Sequence, residues 1–248
     1  MRTADELIDT ENDAWPGLSA EIEGSEYDVE VLPGDAEAGR ACLRSLQVTT
    51  GSRLGAVALH SGGLVIDHGW IRVLGGCPGR DGLPGLAQAN ALPEVPAGAG
   101  EPAPDLIVGY DALGGVFVLN GTDPAASGRP GQPGRMVYFA PDVLGWYDME
   151  LSYGRWLTFL LWPGSATFFT RWEGWQRESA ALRLDEGFSL YPFPWSAEAE
   201  GEDDFSACSR RPVPMAELLS LYRDFCGQLG KPDPGPLGFD VRAAGSGS

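Results

Sequence analysis

The sequence predicts an α+β fold in which a central, mostly antiparallel twisted sheet is flanked by N- and C-terminal helices. Short β-rich runs at residues 27–32, 105–109, 116–120 and 135–139 are typical of strands. Apolar residues at helical spacing predict helices near both ends, over residues 35–46 and 214–229. The 35 glycines and 20 prolines of the 248 residues indicate many turns between these elements.

Capping residues place the helix starts. Thr3, Asp35 and Ser152 each precede a helical pattern and have side chains that accept hydrogen bonds from the first turn. Pro214 suits the first turn of the last helix. Aromatic residues at helical spacing predict a longer helix over residues 165–184.

The segment 55–67 has the pattern of a β-hairpin that closes at Ser61-Gly62-Gly63. In such a hairpin His60 and His68 lie on the order of 13–16 Å apart. A shared metal ion needs both ligand nitrogens about 2 Å from the ion. We therefore predict no metal site and no catalytic centre at these histidines.

The charge is strongly acidic, with 17 basic and 35 acidic residues and a net charge of −18. Residues 1–40 hold twelve acidic residues and two arginines, and a second acidic run spans residues 198–204. Such a field repels phosphate backbones, so we expect no nucleic-acid partner. It favours a basic protein partner, and the alternative is that the charge only maintains solubility.

We expect a single α+β domain over residues 1–230 and a flexible Pro/Gly-rich tail over residues 231–248. No apolar window reaches the roughly 18–20 residues of a membrane span, and the acidic start lacks a signal peptide's apolar run. The expected location is therefore cytoplasmic. No cofactor motif is present, and the oligomeric state stays open. Of the four cysteines, Cys42 and Cys226 are predicted core residues and Cys77 an exposed thiol.

Several of the candidate binding residues also have a structural interpretation. Asp67, His68 and Trp70 form a recognition corner, or else a tight bend with Gly69 at positive φ. Gly114-Gly115 lies between two strands and lacks the context of a phosphate loop. The aromatic residues of the C-terminal half form either a binding face or core. The full set of candidates is Asp67, His68, Trp70, Arg72, Gly114, Gly115, Asp142, Trp172 and Trp195.

Several segments together resemble a bacterial family catalogued as a domain of unknown function, which implies no activity. They cover about residues 5–225. The segments are Ala14–Pro16, Val29–Pro33, Leu46–Thr50, Gly62–Gly75, Gly114–Asn120, Val137–Asp142, Trp146, Arg171–Trp172, Trp175 and Tyr191–Trp195.

At the level of fold, residues 109–120, residues 134–142 and a helix starting at Ser152 are similar to the SUKH superfamily. That resemblance implies central strands followed by a helix. It also implies an immunity protein that neutralises a bacterial toxin, often a nuclease.

Three hypotheses follow. The leading one is a non-enzymatic acidic binding protein, of immunity type, that acts on a basic toxin-like partner. The alternative is a small-ligand sensor or enzyme with a pocket near Asp67, His68, Trp70 and the loop 75–104. The third is a scaffold that dimerises through its aromatic half.

Overall fold

One antiparallel sheet of seven strands forms the centre of the computed structural model, which describes residues 1–93, 103–199 and 204–239. Each strand pairs with the next one along the chain, in the order β1 to β7. The α+β class and the antiparallel sheet are thus confirmed. The strands are β1 Val29–Pro33, β2 Ser61–Ile66, β3 Ile71–Leu74, β4 Leu106–Asp111, β5 Val116–Leu119, β6 Met136–Ala140 and β7 Gly145–Asp148; β8 Glu186–Tyr191 and β9 Ser209–Pro214 form a second small sheet.

Helices cover the sheet, and 3₁₀ turns at Arg80–Gly82 and Pro163–Phe168 accompany them. The caps predicted at Thr3, Asp35 and Ser152 are confirmed, since each side chain accepts from a backbone N–H three residues later. The helices are α1 Ala4–Leu7, α2 Trp15–Glu23, α3 Ala36–Leu46, α4 Arg53–His60, α5 Leu86–Ala89, α6 Tyr153–Leu161, α7 Trp175–Ala180 and α8 Met215–Gln228.

Both faces of the sheet are buried. Successive side chains of a strand point to opposite faces of the sheet, so Tyr138 lies on one face and Phe139 on the other. On the first face Tyr138 packs with Phe117, whose ring lies 5.2 Å from that of Trp156 on α6. On the second face Phe139 lies 6.4 Å from the ring of Tyr222 on α8. This two-sided burial explains why β2, β3 and β6 are buried along their whole length instead of alternating between buried and exposed residues.

The hairpin predicted over residues 55–67 is wrong. Residues 55–59 belong to α4, whose start is capped by Ser52. A short apolar run does not distinguish a strand from a buried helix, and here tertiary packing decides. A Cβ on Gly55 would lie 2.1 Å from the carbonyl oxygen of Thr49, so glycine lets α4 approach that loop closely. The true hairpin joins β2 to β3 one strand later.

Two further predictions are wrong. Residues 165–184 do not form one helix, because the chain leaves the 3₁₀ turn at Phe168 and α7 begins only after Gly174, which has φ +79°. Cys77, expected to be exposed, is buried and lies 3.7 Å from the carbonyl oxygen of Pro33.

Residues 231–239, the first part of the predicted tail, lie against the second face of the sheet. Leu237 is buried, the ring of Phe239 lies 5.0 Å from that of Tyr110, and Lys231 Nζ donates to the carbonyl of Val143. Residues 240–248 of that tail, and 94–102 of the predicted loop 75–104, lie outside the described residues. Within the described part of the chain, every helix is too short or too polar to cross a membrane.

Candidate functional site

The Asp-His-Gly-Trp segment forms the turn between β2 and β3. The carbonyl of Asp67 accepts from the N–H of Trp70 at 3.0 Å, with His68 at φ 56° and Gly69 at φ 80°. These angles are those of a type I′ turn, which matches the twist of a hairpin. Asp67 itself has φ 55°, so two non-glycine residues in succession adopt the left-handed region.

An ion pair links that turn to the segment before α7. Arg171 Nη1 lies 2.9 Å from Asp67 Oδ2, and the two side chains are 11% and 9% exposed. The guanidinium lies 3.9 Å from the ring centroid of Trp175, 4.9 Å from that of Trp70 and 5.4 Å from that of Phe169. Burial raises the pKa of Asp67, and Arg171 opposes that shift. The protein therefore holds one guanidinium with three aromatic rings and one carboxylate.

The two histidines lie at opposite ends of β2, although the hairpin from which we predicted their separation does not exist. His60 Nε2 lies 2.8 Å from Asp13 Oδ2, and its ring stacks on Trp15. His68 Nδ1 lies 3.8 Å from Asp28 Oδ2 at the surface. No three His, Cys, Asp or Glu side chains of the described residues form a group able to hold a metal ion.

Arg72 is a buried cation on the second face of the sheet. Its Nε donates to the carbonyl of Gly69 at 3.1 Å, and its Nη1 donates to the carbonyl of Glu186 on β8. Complete burial lowers the pKa of Arg72 to about 10, which nearby Asp111 opposes. Arg72 thus joins the β2–β3 turn to the small sheet.

The Gly114-Gly115 pair belongs to the turn between β4 and β5, which Asp111 closes. Asp111 Oδ1 accepts from the N–H groups of Leu113 at 2.8 Å and Gly115 at 2.9 Å. Asp111 Oδ2 accepts from the hydroxyl of Tyr138 at 2.6 Å. A Cβ on Gly115 would lie 2.1 Å from Asp111 Oδ2 and 2.3 Å from the Tyr138 oxygen. Gly115 is therefore needed for the Asp111–Tyr138 contact.

Burial governs the titration of this pair. Complete burial raises the pKa of Asp111, against the lowering effect of its three hydrogen bonds and of Arg72. Burial and the neighbouring carboxylate also raise the pKa of Tyr138 well above its ordinary value. Asp111 accepts hydrogen bonds from its own turn and from the hydroxyl of Tyr138. Asp111 therefore fixes the orientation of the Tyr138 ring.

A cavity of about 210 Å³, here called the aromatic pocket, opens beside Tyr138 on the first face. Its lining includes Pro141, Pro194, Asp111 and Asp142. Within the ranges that the structure describes, its lining includes no Lys, Arg or His. Its six aromatic rings are Trp70, Tyr138, Tyr147, Phe168, Phe169 and Phe205.

Three of these rings are steeply inclined to one another. The planes of Tyr138 and Phe168 are inclined by 62° at 5.2 Å, those of Phe168 and Phe169 by 83° at 4.9 Å, and those of Tyr138 and Phe169 by 88° at 6.3 Å. At the mouth, Tyr147 is 49% and Phe168 40% exposed. Asp142 is exposed as well. The rings therefore form a corner that is open to solvent.

The structure brings only some of the predicted residues to this pocket. Trp70 and Asp142 line it, and Gly115 lies beside its Asp111–Tyr138 pair. Asp67 lies next to it, since its partner Arg171 contacts Trp70. The remaining predicted residues, His68, Arg72, Gly114, Trp172 and Trp195, are absent from its lining.

Three of those residues have structural contacts elsewhere in the fold. Trp172 is buried and donates from Nε1 to Glu178 Oε1 at 3.1 Å. The ring of Trp195 lies 4.7 Å from Phe193 and 5.4 Å from Tyr222 on α8. Gly114, with φ +79°, lets Tyr222 approach to 2.9 Å from where a Cβ would be.

Sequence reasoning missed Asp111, Tyr138, Tyr147 and Phe168 as site residues. An aspartate four residues before Gly115, in Asp-Ala-Leu-Gly-Gly, was a usable signal for a carboxylate that closes a turn. No local pattern places Phe168 against Tyr138, because thirty positions separate them.

The fold and site together define an α+β protein with an aromatic pocket beside a seven-stranded antiparallel sheet. The chain belongs to the family described as "Protein of unknown function DUF2625", which matches residues 4–218. This confirms the predicted resemblance to a family of unknown function.

Two relatives, both from bacteria, support that membership. The chain is 33% identical to the uncharacterised protein YbfG of Escherichia coli (strain K12) over 223 residues, covering 89% of this chain and 95% of the relative. It is 31% identical to an uncharacterised protein of Haemophilus influenzae over 196 residues, covering 77% and 82%. No solved structure matches the chain.

Proposed function

We propose that this protein is a binding protein that takes a small organic ligand in the aromatic pocket. One observation carries the proposal. A cavity of about 210 Å³ is lined by six aromatic rings and two carboxylates, and two of those rings are exposed at its mouth. Ligand sites are concave and mostly apolar, with a few fixed polar groups. The small volume favours a ligand below drug size, for which sites measure roughly 300–1,000 Å³.

Binding is favoured over catalysis because the buried carboxyl group of the pocket, Asp111, is already engaged. The turn residues and Tyr138 satisfy Asp111, and the hydroxyl of Tyr138 donates to Asp111. A general base needs a free lone pair within reach of substrate. Asp142 is the carboxylate of the pocket that solvent reaches.

A thermal-shift screen of small organic compounds tests the proposal on the wild type, Tyr147→Leu and Tyr191→Leu. Tyr147 lies at the pocket mouth, and Tyr191, 69% exposed on β8, is the matched control. A ligand that binds only the folded state raises the melting temperature. We expect at least one compound whose shift is lost in Tyr147→Leu and kept in Tyr191→Leu. Shifts that never depend on Tyr147 would refute the proposal.

The second candidate function is an acidic surface that binds a basic protein, as in an immunity protein of SUKH type. The net charge of −18 favours it, as do the exposed, acidic Glu11, Glu26 and Glu37. It ranks second because many N-terminal carboxylates already have basic partners. Those pairs are Asp5–Arg40, Asp13–His60, Glu21–Arg53, Asp28–His68 and Glu30–Arg80.

This candidate predicts a complex that weakens as salt rises, since screening acts on exposed charges. Affinity capture of basic bacterial proteins at low and high salt measures this, and a salt-independent complex would contradict it. A cytoplasmic location is part of the same proposal. The buried thiols of Cys42, Cys77 and Cys226 support it, because disulfides are rare in reducing compartments.

A further inference from the structure

We infer that the aromatic pocket selects a small organic cation, such as a substituted ammonium ion. This inference rests on the proposed function and names the ligand class of the same site. It starts from charge: among the described residues, the acidic side chains that line the pocket are Asp111 and Asp142, and no basic side chain lines it. An anionic ligand would meet a carboxylate and no basic side chain there.

The ring geometry is the second reason. The face of an aromatic ring carries partial negative charge and attracts a cation within about 6 Å of its centroid. Tyr138, Phe168 and Phe169 lie in planes inclined to one another by 62° to 88°, and Tyr147 adds an exposed ring at the mouth. Walls in several planes suit a compact, roughly spherical ammonium group better than a flat neutral molecule.

The molecule already contains an example of this chemistry. Arg171 is held by the rings of Trp70, Phe169 and Trp175 and by the carboxylate of Asp67. Trp70 and Phe169 also line the aromatic pocket. The pocket has the same kinds of group, aromatic rings and the carboxylate of Asp142, but none of its described lining residues is basic. Because Asp67 compensates the charge of Arg171, Arg171 repels a second cation only weakly.

Choline and its neutral carbon isostere, 3,3-dimethylbutan-1-ol, are the probes. The two have the same shape, so only the charge distinguishes them. Titration calorimetry at constant ionic strength compares their affinities for the full chain. We expect choline to bind roughly two- to thirty-fold more tightly, the range that a cation–π contact supports.

Matched charge variants complete the experiment. Asp142→Asn removes the exposed carboxylate of the pocket, and Asp224→Asn removes an exposed carboxylate of α8 outside its lining. We expect Asp142→Asn to lower the affinity for choline and not for the isostere, and Asp224→Asn to change neither. Thermal melting verifies that both variants fold.

The outcomes separate the two proposals. Equal affinity for both probes, with Phe168→Leu weakening both, would overturn the cation inference and leave ligand binding in the pocket intact. Absence of choline binding would also overturn the inference, and the compound screen then decides the proposed function. Equal loss of choline affinity in Asp142→Asn and Asp224→Asn would overturn the role of the pocket carboxylate.

Discussion

Two buried aspartates, each in a turn between neighbouring strands, are stabilised in different ways. Asp111 closes the β4–β5 turn, and two backbone N–H groups and the hydroxyl of Tyr138 satisfy it. Asp67 begins the β2–β3 turn and faces the guanidinium of Arg171. Burial raises the pKa of both carboxyl groups.

The difference shows which turn depends on charge. The partners of Asp111 are neutral donors, so an amide of the same shape can replace the carboxyl group. The partner of Asp67 is a buried cation, and removing the carboxylate leaves that charge uncompensated. The β4–β5 turn therefore requires the shape of the Asp111 side chain, and the β2–β3 turn requires the negative charge of Asp67.

The largest expected effect is that of Asp67→Ala. It leaves Arg171 buried without its counter-ion, so the free energy of unfolding falls by about 3–5 kcal/mol. The exposed pair Arg211–Glu217, with 73% and 63% exposed side chains at 3.8 Å, provides the control. Glu217→Ala is expected to cost about 0–1 kcal/mol. Urea denaturation measures the free energy of unfolding of both variants. Similar losses would mean that the Asp67–Arg171 ion pair does not stabilise the fold.

The next effect tests the shape requirement at the β4–β5 turn. Gly115→Ala places a Cβ 2.1 Å from Asp111 Oδ2, so Asp111 and Tyr138 must separate. We expect a loss of about 1–3 kcal/mol in the free energy of unfolding. Gly227→Ala in α8, where nothing lies within 4 Å of the new Cβ, should instead stabilise by about 0.5–1 kcal/mol. The same sign for both substitutions would contradict the packing role of Gly115.

The smallest effect is the pH dependence of Asp111→Asn. The amide oxygen still accepts from Leu113 and Gly115, so we expect a folded protein. The raised pKa of Asp111 favours its protonated form in the folded state. The stabilising contribution of protonated Asp111, which Asp111→Asn lacks, is therefore fully present below about pH 4, the ordinary aspartate pKa. This contribution is lost as pH rises through the folded-state pKa of Asp111.

Urea denaturation between acidic and neutral pH measures that difference. Asp224→Asn, altered at an exposed carboxylate of α8, is expected to follow the wild-type profile. A profile of Asp111→Asn that runs parallel to that of the wild type would show that Asp111 titrates alike in the folded and unfolded states.

Much of the fold followed from local signals. The caps at Asp35 and Ser152 and the strands around residues 106–111, 116–119 and 136–140 are where the sequence predicts them. Each depends on residues a few positions apart, so a short window contains the whole cause. The segment 53–60 misled because its apolar run suits either a strand or a helix buried against α2, α3 and α6.

The candidate site could not be predicted in the same way. The pocket joins Trp70, Tyr138 and Phe168 from three distant segments. The ion pair of Asp67 with Arg171 spans about a hundred positions. Such contacts depend on strand order and on which face each helix covers, and neither leaves a local pattern.

The amino-acid sequence by itself determined the class of fold, the acidic charge, the family and the turns where Asp67 and Asp111 lie. Only the tertiary structure decided that Asp111 serves its own turn, that Asp67 neutralises Arg171, and that rings from separate segments enclose a pocket. The physical reason is range: capping, turn formation and periodicity act between near neighbours. Burial and charge pairing depend instead on residues that meet only when the sheet has folded.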